Sequence, residues 1–236
     1  RSIRALGADR VLGYAPAGGM NQLLSSCEGL EVVDLNGPID YDYWTENYAL
    51  CFHFLSQEGF LSCDHYLTAP PANAAVQGVI ETIRKNAAGR SIMGISWNSD
   101  ASTVGTRNVP LSALLLLFGL SNVYWVVLQR GWAREEFCAA GLDRNVYMVQ
   151  ENITFDDTAS LVDALDCVVT TDSYLSHLTG AIGKPVYLMG SRALDWRHMN
   201  QETQSLWYPK TKIVRQPKIG DWRSVVDVLC RACADY

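Results

Sequence analysis

The sequence predicts an α/β fold in which a parallel sheet is flanked by helices. Between residues 91 and 220, short apolar segments alternate with helical patterns about every 20–30 residues. The segment CVVTT (167–171) has no polar alternation, as expected of a parallel strand covered on both faces. Right-handed crossovers join such strands. We expect two domains of this kind, facing a cleft.

The composition is that of an ordinary globular protein, since 48% of the 236 residues are hydrophobic and 19% are charged. The net charge of −6 argues against a general nucleic-acid binder, so no nucleic-acid partner is expected. No apolar run approaches the ~20 residues of a membrane helix. The first residues, RSIRALGADRV, contain no apolar signal core. A cytoplasmic protein is therefore expected.

Cysteines occur at positions 27, 51, 63, 138, 167, 230 and 233. Their number is odd, and the CxxC pair Cys230 and Cys233 lies in a helical pattern. No second pair or histidine cluster completes a zinc site, so we expect reduced, mostly buried thiols and no metal site. The absence of GxGxxG, P-loop and GxSxG motifs argues against a dinucleotide cofactor and a nucleophile elbow.

Residues 1–70 predict a partial N-terminal α/β domain. The end of a helix at RSIRAL precedes a strand at RVLGYA, a helix at MNQLLSSC and a strand at LEVVDL. Because such a domain normally opens with a strand and a glycine-rich turn, we expect an earlier strand to be missing. Residues 37–70 are dense in aromatics, which either form an acceptor-binding wall or, as we favour, pack into the core. These aromatics are Tyr41, Tyr43, Trp44, Tyr48, Phe52, Phe54 and Phe60.

Pro70-Pro71 marks the predicted domain boundary. The pattern NAAVQGVIETIRKNA then predicts a linking helix within residues 71–90, which either domain could bury. A C-terminal domain follows at 91–220, and a last helix at 221–236. The inward face of the last helix is expected to contain Val225, Val228, Leu229 and Ala232.

The C-terminal domain is predicted from its alternation of strands and helices. The expected strands are SIMGISW (91–97), VYWVVLQ (123–129), NVYMVQ (145–150), CVVTT (167–171), PVYLM (185–189) and KIVRQ (212–216). The expected helices are LSALLLLFGL (111–120), WAREEFCAAG (132–141), ASLVDAL (159–165) and one that begins at Tyr174. Residues 191–209 predict a long loop over the strand ends.

The strongest candidate site follows the strand CVVTT. Open α/β sheets bind ligands at the carboxyl ends of their strands, and Asp172-Ser173 stands at such an end, before a helix. The N-terminus of that helix offers backbone N–H groups to an anion. The alternative interpretation is that Asp172 or Ser173 only caps the helix. Asp157-Thr158 would do the same for the preceding helix. The residues alone favour neither interpretation.

A polar loop after SIMGISW is a second candidate. It contains Ser99, Ser102, Thr103, Gly105 and Thr106. Small hydroxyl-bearing residues after a strand suit contact with phosphate, and Arg107 would add charge-assisted hydrogen bonds. The signal is weak alone, because polar loops are common.

Four stretches resemble the C-terminal half of a GT-B glycosyltransferase of the heptosyltransferase family (glycosyltransferase family 9) and of related bacterial glycosyltransferases fused to tetratricopeptide repeats. GISWNSD with RNVPL is similar to the family's strand, loop and R-S-I-P-L segment, and YWVVLQRG to F-V-S-L-Q. DDTASLVDALDCVVTTDSYLSHLTGAIGKPVYLM resembles the signature D-T-A-A-L-I…D-T-A-V-A-H-L-A-G-A-L-G-K-P-V. DWRHMNQETQSLWYP with IVRQPKIGDWRSVV resembles the close D-W-R-W…W-Y-P…R-Q…G-D-W. Residues 1–70 resemble the family's first domain only loosely.

The resemblance implies a GT-B-like fold with a nucleotide-sugar donor bound on the C-terminal domain. The implied donor-binding residues are Trp97, Asn98, Ser99, Arg107, Gln129, Arg130, Asp172, Ser173, Tyr174 and His177. Those implied at the cleft or base pocket are Asp157, Thr158, Asp195, Trp196 and Arg197. The family has a small residue where Tyr174 stands, so this ring would either crowd the phosphate or stack on a ligand ring. The family's catalytic aspartate has no equivalent here, and no base is assigned.

The implied activity is metal-independent transfer of a sugar from an ADP- or UDP-linked donor to an acceptor hydroxyl, with no cofactor. The alternatives are a nucleotide-sugar-binding fragment without turnover and a related reaction such as epimerisation or hydrolysis. The implied acceptor is a glycan, a lipid-linked molecule or a protein. Peripheral membrane association and an upstream tetratricopeptide-repeat segment are further expectations.

Overall fold

The computed structural model describes residues 7–14, 19–34, 36–46, 49, 65–99, 107–198 and 201–236. Within them the chain is an α/β protein, as predicted. The predicted helix end at RSIRAL, the loop residues Ser102 to Thr106, and Tyr48, His53 and Phe60 lie outside the described residues, as do Cys51, Cys63, Phe52 and Phe54.

A two-stranded parallel sheet comes first in the described part of the chain. It pairs β1 (Leu12–Gly13) with β2 (Glu31–Val32). Helix α1 (Asn21–Ser25) connects the two strands. This is the βαβ order that the sequence predicts, with shorter strands than RVLGYA and LEVVDL.

The described residues from 91 to 215 form a second, six-stranded sheet in which every pair is parallel. Its strands are β3 (Ser91–Ser96), β4 (Val123–Val127), β5 (Tyr147–Met148), β6 (Cys167–Thr171), β7 (Val186–Gly190) and β8 (Thr211–Arg215). The spatial order is β5-β4-β3-β6-β7-β8. The chain therefore builds outward from β3 to β5, returns to place β6 beside β3, and then builds the other way. The carboxyl ends of β3 and β6 flank the topological switch point, where ligands bind in open α/β sheets.

Helices cover both faces of this sheet. They are α2 (Ala74–Ala87), α3 (Leu111–Phe118), α4 (Trp132–Ala139), α5 (Phe155–Asp163), α6 (Tyr174–Ala181) and α7 (Trp222–Ala234). Short 3-10 turns occur at Asp143–Asn145 and Trp196–His198. One core lies between the sheet and α3, α4 and α7, and the other lies between the sheet and α2, α5 and α6. Strands β4, β6 and β7 are buried along their whole length, as expected of parallel strands with both faces covered.

Helix α2 packs on the six-stranded sheet. Its apolar face, with Val76, Ile80 and Ile83, joins the same core as Tyr124 and Val126 of β4. The Asn73 side chain caps its start by accepting from the N–H of Val76. The sequence left open which domain buries this helix, and the structure places it on the C-terminal sheet. The domain limits 1–70, 71–90, 91–220 and 221–236 stay predictions.

The last helix differs from its predicted face at one position. Val225 and Leu229 are buried, as expected, together with Trp222, Val226 and Cys233. Val228 is exposed instead, because the buried stripe of α7 runs along the 222, 225, 226, 229 and 233 positions, which recur at helical spacing.

Two further expectations are wrong for the described residues. Tyr41, Tyr43 and Trp44 are exposed rather than packed in a core, with Tyr43 94% exposed. Of the described cysteines, all free, only Cys167 and Cys233 are buried, whereas Cys138 is exposed. In both cases the prediction took the apolar character of a residue as a sign that it is buried. Burial depends instead on the neighbours that the fold supplies. No helix in the described ranges has the length and apolarity that crossing a membrane requires.

Candidate functional site

The candidate site lies where the carboxyl ends of β3 and β6 adjoin. Ser96 pairs with Thr170 in the parallel register, so the residues that follow each strand emerge side by side. These residues are Asn98 and Ser99 after β3 and Asp172 and Ser173 after β6. The switch point thus brings together the two stretches that the sequence singled out separately.

Asp172 is the buried centre of this region, with 4% of its surface exposed. Its Oδ2 accepts a hydrogen bond from the backbone N–H of Asp195 at 3.1 Å and lies 3.9 Å from Nη1 of Arg107. Its Oδ1 lies 3.7 Å from Nε2 of His177 and 3.5 Å from Nε2 of His198. Both carboxylate oxygens therefore face donors from other parts of the chain.

These neighbours keep Asp172 ionised. Burial raises the pKa of Asp172, but the interaction with the His198 ring, the N–H of Asp195 and the charge of Arg107 outweigh it, so the pKa lies below its ordinary value. A buried carboxylate is tolerated where it is paired and hydrogen-bonded. Asp172 therefore holds the surrounding side chains in place more than it offers itself to a ligand.

His177 projects from the first turns of α6 with its side chain partly exposed. Its Nδ1 lies 3.2 Å from the hydroxyl of Tyr208. Burial lowers the pKa of His177 to about 4; the charges of Arg197 and His198 add to the effect, and Asp172 and Asp195 oppose it. The ring is therefore neutral at pH 7 and carries one N–H.

His198 was not among the predicted site residues. It is 1% exposed, and its ring stacks parallel to that of His177 with centroids 6.1 Å apart. It belongs to the stretch DWRHMN, where the resembled family has D-W-R-W. The replacement of an aromatic residue by histidine was the one signal in the sequence that could have indicated His198. Its contact with Asp172 joins distant parts of the chain, so spacing does not reveal it.

Charged side chains surround the opening of the site. Arg107 is partly exposed and lies 3.6 Å from the Asp195 carboxylate. Arg197 donates to Asp195 from both its backbone N–H and its guanidinium. The guanidinium of Arg197 also lies over the ring of Trp196 at 4.7 Å. Arg107, Asp195, Trp196 and Arg197 thus lie together at the opening.

The N-terminus of α6 remains open to an anion. Among the residues described, Ser173 occupies the capping position without a side-chain capping bond. The Asp172 carboxylate instead faces Asp195, Arg107 and the two histidines. The interpretation that Asp172 or Ser173 caps the helix with its side chain is therefore not supported. The N–H of Ser176 bonds to the carbonyl of Ser173, and the N–H groups of Tyr174 and Leu175 are left for another acceptor.

Gln129 and Trp97 do not occupy the places that the resemblance implied. Oε1 of Gln129 accepts from the N–H groups of Trp97 and Asn98, and its Nε2 donates to the carbonyls of Asn98 and Arg130. This side chain ties the turn after β3 and has no capacity left for a nucleotide. The Trp97 ring lies in the hydrophobic core against Phe118 and Phe137, so the ring serves the core.

Asp157 and Thr158 also have structural roles. Asp157 and Thr154 form a capping box at the start of α5, and Asp157 accepts from the side chain of Asn73. Thr158 is buried and donates to the carbonyl of Thr154. The preceding residue, Asp156, accepts from the N–H groups of Gln22 and Leu23 at the start of α1. This turn therefore joins α1 to α5, and a role of Asp157 and Thr158 in a base pocket stays a prediction.

The remaining predicted residues lie near the site and differ in exposure and in hydrogen bonding. Tyr174 is exposed and contacts Phe155 edge to face. Arg130 donates to the carbonyl of Ile153. Ser99 is partly buried, and its N–H donates to the side chain of Asn108. The Tyr174 ring and the Arg130 guanidinium are the groups at this edge that a ligand could meet.

Several buried polar atoms here have no hydrogen-bond partner among the described residues. They are Oδ1 of Asn98, Nε of Arg107 and Nδ1 of His198, whereas Nε2 of His198 has only the longer contact with the Asp172 carboxylate. Such orphan atoms are uncommon in folded proteins and call for a ligand, a water or a rearrangement. The described ranges contain no cluster of three or more side chains suited to a metal. Chemically, the arrangement can bind an anion with cationic side chains and helix N–H groups.

No protein-family model matches the sequence. Protein FlbA of Caulobacter vibrioides is 29% identical over 120 residues, which cover 49% of this chain and 20% of that protein. The structure of E. coli ADP-heptose lipopolysaccharide heptosyltransferase II is 14% identical, with a TM-score of 0.51 over 72% of this chain and 54% of that chain. The glycosyl transferase family 9 structure from Veillonella parvula is 11% identical, with a TM-score of 0.47 over 66% and 44% of the two chains.

The chain thus spans about half the length of heptosyltransferase II and a fifth of FlbA. The likeness to heptosyltransferase II shows the fold: this is a heptosyltransferase-like GT-B fold of the α/β class, with the six-stranded parallel sheet as its Rossmann-like unit.

Proposed function

We propose that this chain is a glycosyltransferase that takes its sugar from a nucleoside-diphosphate sugar bound at the carboxyl ends of β3 and β6. The observation that carries the proposal is that Arg107 and His177 lie beside the buried Asp172, and Arg197 binds the adjoining Asp195, next to a helix start without a side-chain cap. A diphosphate matches such a site, because its oxygens accept from guanidinium groups and from helix N–H groups. The heptosyltransferase-like fold agrees with this class of substrate.

Charge on the leaving group determines the roles of the residues. As the bond to the sugar breaks, negative charge grows on the diphosphate, and the site stabilises it with donors already in place. Arg107 and Arg197 would bind phosphate oxygens, and the N-terminus of α6 would add N–H groups. Asn98, whose Oδ1 is free among the described residues, would accept from a hydroxyl of the donor. Asp172 would hold Arg107 and the two histidines in position.

The finer features of the proposal come from the sequence. They are an ADP- or UDP-linked donor, a reaction without metal or cofactor, a glycan, lipid-linked or protein acceptor, and no assigned catalytic base. A cytoplasmic location, peripheral membrane association and an upstream tetratricopeptide-repeat segment belong to the same set.

A panel of nucleotides tests donor binding. Thermal unfolding is followed with UDP, ADP, GDP and their sugars, and one base is expected to raise the melting temperature, because a ligand that binds only the folded state stabilises it. The Arg107→Ala variant should lose that rise. If no nucleotide or nucleotide sugar stabilises the chain at millimolar concentration, the proposal is wrong.

Binding without turnover is the second candidate function. It is favoured because both carboxylates of the site, those of Asp172 and Asp195, already lie beside arginines. A coupled assay for release of the nucleoside diphosphate from the stabilising donor separates the two. Release that depends on an added acceptor supports transfer, binding with no release supports the second candidate, and release without acceptor indicates hydrolysis.

A further inference from the structure

Tyr208 contacts the site from behind His177. Its hydroxyl lies 3.2 Å from Nδ1 of His177 and 3.5 Å from the hydroxyl of Tyr66. The Tyr208 ring is buried and lies directly on helix α6, since a Cβ placed on Gly180 would clash with its Cγ. The absence of a side chain at Gly180 therefore allows the phenol to approach close enough to reach His177.

A neutral His177 ring carries one N–H, on either Nδ1 or Nε2, and each of these nitrogens faces a different neighbour. Nε2 faces Asp172 Oδ1 at 3.7 Å, and Nδ1 faces the Tyr208 hydroxyl. A carboxylate only accepts, whereas a phenol hydroxyl donates or accepts. An unprotonated Nε2 would point its lone pair at a buried negative charge. The lower-energy arrangement therefore has the proton on Nε2 and a hydrogen bond from the Tyr208 O–H to Nδ1.

The charged and titratable groups that face His177 agree with a neutral ring. Asp172 and Asp195 favour a second proton, whereas burial, Arg197 and His198 oppose it. Tyr208 faces Nδ1 with its hydroxyl. Since burial is the largest of these influences and lowers the pKa of His177 to about 4, the ring must adopt one of two neutral tautomers at pH 7.

We propose that Tyr208 is a positioning residue of the donor site, whose O–H donates to Nδ1 of His177 and keeps the ring proton on Nε2. The Nε2–H then faces Oδ1 of Asp172, and the ring, held in this orientation, borders the helix start at which the diphosphate would bind. The consequence for donor binding rests on the proposed function, whereas the tautomer does not.

The tautomer is measured directly by long-range proton–nitrogen NMR on protein labelled with nitrogen-15 in histidine. The chain has four histidines, so the spectrum of His177→Gln assigns the His177 signals. At pH 7.5, the wild-type ring should show a protonated Nε2 and an unprotonated Nδ1. Tyr208→Phe should move the pattern towards the other tautomer. Tyr124→Phe, which removes a hydroxyl from a buried ring under Arg90, should leave it unchanged.

A protonated Nδ1 in the wild type overturns the inference, and so does an unchanged His177 pattern in Tyr208→Phe. The wild-type measurement stands even if that variant folds poorly.

Calorimetry with ADP and UDP tests the link to donor binding. Tyr208→Phe should lower the affinity for whichever nucleotide binds by about fivefold, the scale of one hydrogen bond. Tyr124→Phe should bind that nucleotide with the affinity of the wild type. Equal affinity in Tyr208→Phe and the wild type would refute that link. If the tautomer is as expected but neither nucleotide binds the wild type, the proposed function fails and the positioning role stands.

Discussion

The carboxylate of Asp172 lies 3.5 Å from the ring of His198, and both side chains are almost completely buried beneath the surface of the site. The two residues belong to different elements, the end of β6 and the 3-10 turn at Trp196–His198. Their contact fastens the long segment after β7 to the strand end at the switch point. A charged centre inside the protein thereby holds in place the cationic groups around the opening.

Replacing Asp172 by asparagine should destabilise the protein by about 1.5–3 kcal/mol at pH 7, the scale for hydrogen bonds to a charged group. Urea unfolding measures the loss. Asp227→Asn is the matched control, since Asp227 pairs with Arg223 on the exposed face of α7 and should cost at most about 0.5 kcal/mol. Equal losses in the two variants would contradict the central role of Asp172.

The same variant has a defined pH dependence. The pKa of Asp172 lies below its ordinary value of 3.8 in the folded protein, so the folded state binds this proton less readily than the unfolded state does. The stabilisation by the ionised carboxylate is complete above pH 3.8 and disappears as the pH falls through the folded value. The stability difference between wild type and Asp172→Asn should therefore narrow in acid.

His177 should make the protein sensitive to acid in a higher pH window. Its pKa is about 4 in the folded protein and 6.5 ordinarily, so protonation favours the unfolded chain between these values. The wild type should lose up to about 3 kcal/mol from pH 6.5 to pH 4 through this group, and His177→Gln should lose less. His65→Gln, at an exposed position, should follow the wild type. Identical pH profiles for His177→Gln and the wild type would refute the shift.

Gln129→Ala should cost at least about 2 kcal/mol, because it leaves buried N–H groups of Trp97 and Asn98 without an acceptor. Thermal and urea unfolding measure the effect. Gln77→Ala is the control, since the side chain of this glutamine bonds only to the exposed Glu81 side chain among the contacts described. A loss no larger than that of the control would mean that Gln129 does not hold the turn after β3.

Two helical glycines should respond to alanine in opposite directions. Gly78 in α2 has open space at the Cβ position, so Gly78→Ala should stabilise by about 0.5–1 kcal/mol through helix propensity. In Gly180→Ala the new methyl would meet the ring of Tyr208, and overpacking should cost about 1–3 kcal/mol. The melting temperature should therefore rise in Gly78→Ala and fall in Gly180→Ala, relative to the wild type. Stabilisation in both would show that the Tyr208 ring has room to move.

Arg107→Ala should weaken binding of the preferred nucleoside diphosphate by about 1–3 kcal/mol, the scale for a charge-assisted hydrogen bond. Calorimetry at two salt concentrations measures the affinity. Arg144→Ala removes an exposed arginine before β5, at the amino end of the sheet, and should change the affinity little. Equal affinities for Arg107→Ala and the wild type, with intact folding, would exclude Arg107 from the donor site.

Much of the fold could be predicted from local pattern. CVVTT is a strand over the predicted residues. Of the other predicted strands of the C-terminal sheet, β3, β4 and β5 are shorter than predicted, and β7 and β8 are displaced by one residue. Buried parallel strands are continuously apolar and short, so their position is written in the residues themselves. Burial outside these elements was harder to predict: Tyr43 and Val228 are exposed because no element of the described chain covers them.

The candidate site was predicted in part. The importance of Asp172 followed from its place after a strand, and that of Arg107 from its charge beside a polar loop. His198 and Tyr208 were missed as partners, and Trp97 and Gln129 were assigned to the ligand when they serve the core and a turn. Whether a polar side chain faces a ligand or the protein's own backbone depends on the elements around it, which spacing along the chain does not reveal.

The sequence by itself determined the type and order of the elements in the sheet and placed Asp172 and Ser173 at a strand end, because periodicity and turn residues act locally. Tertiary structure alone decided that β6 lies beside β3, which makes that strand end a switch point. It also decided that His177 and His198 meet at one carboxylate oxygen of Asp172. Such contacts depend on strand order and on the path of the loops, since packing joins residues that are distant in the chain.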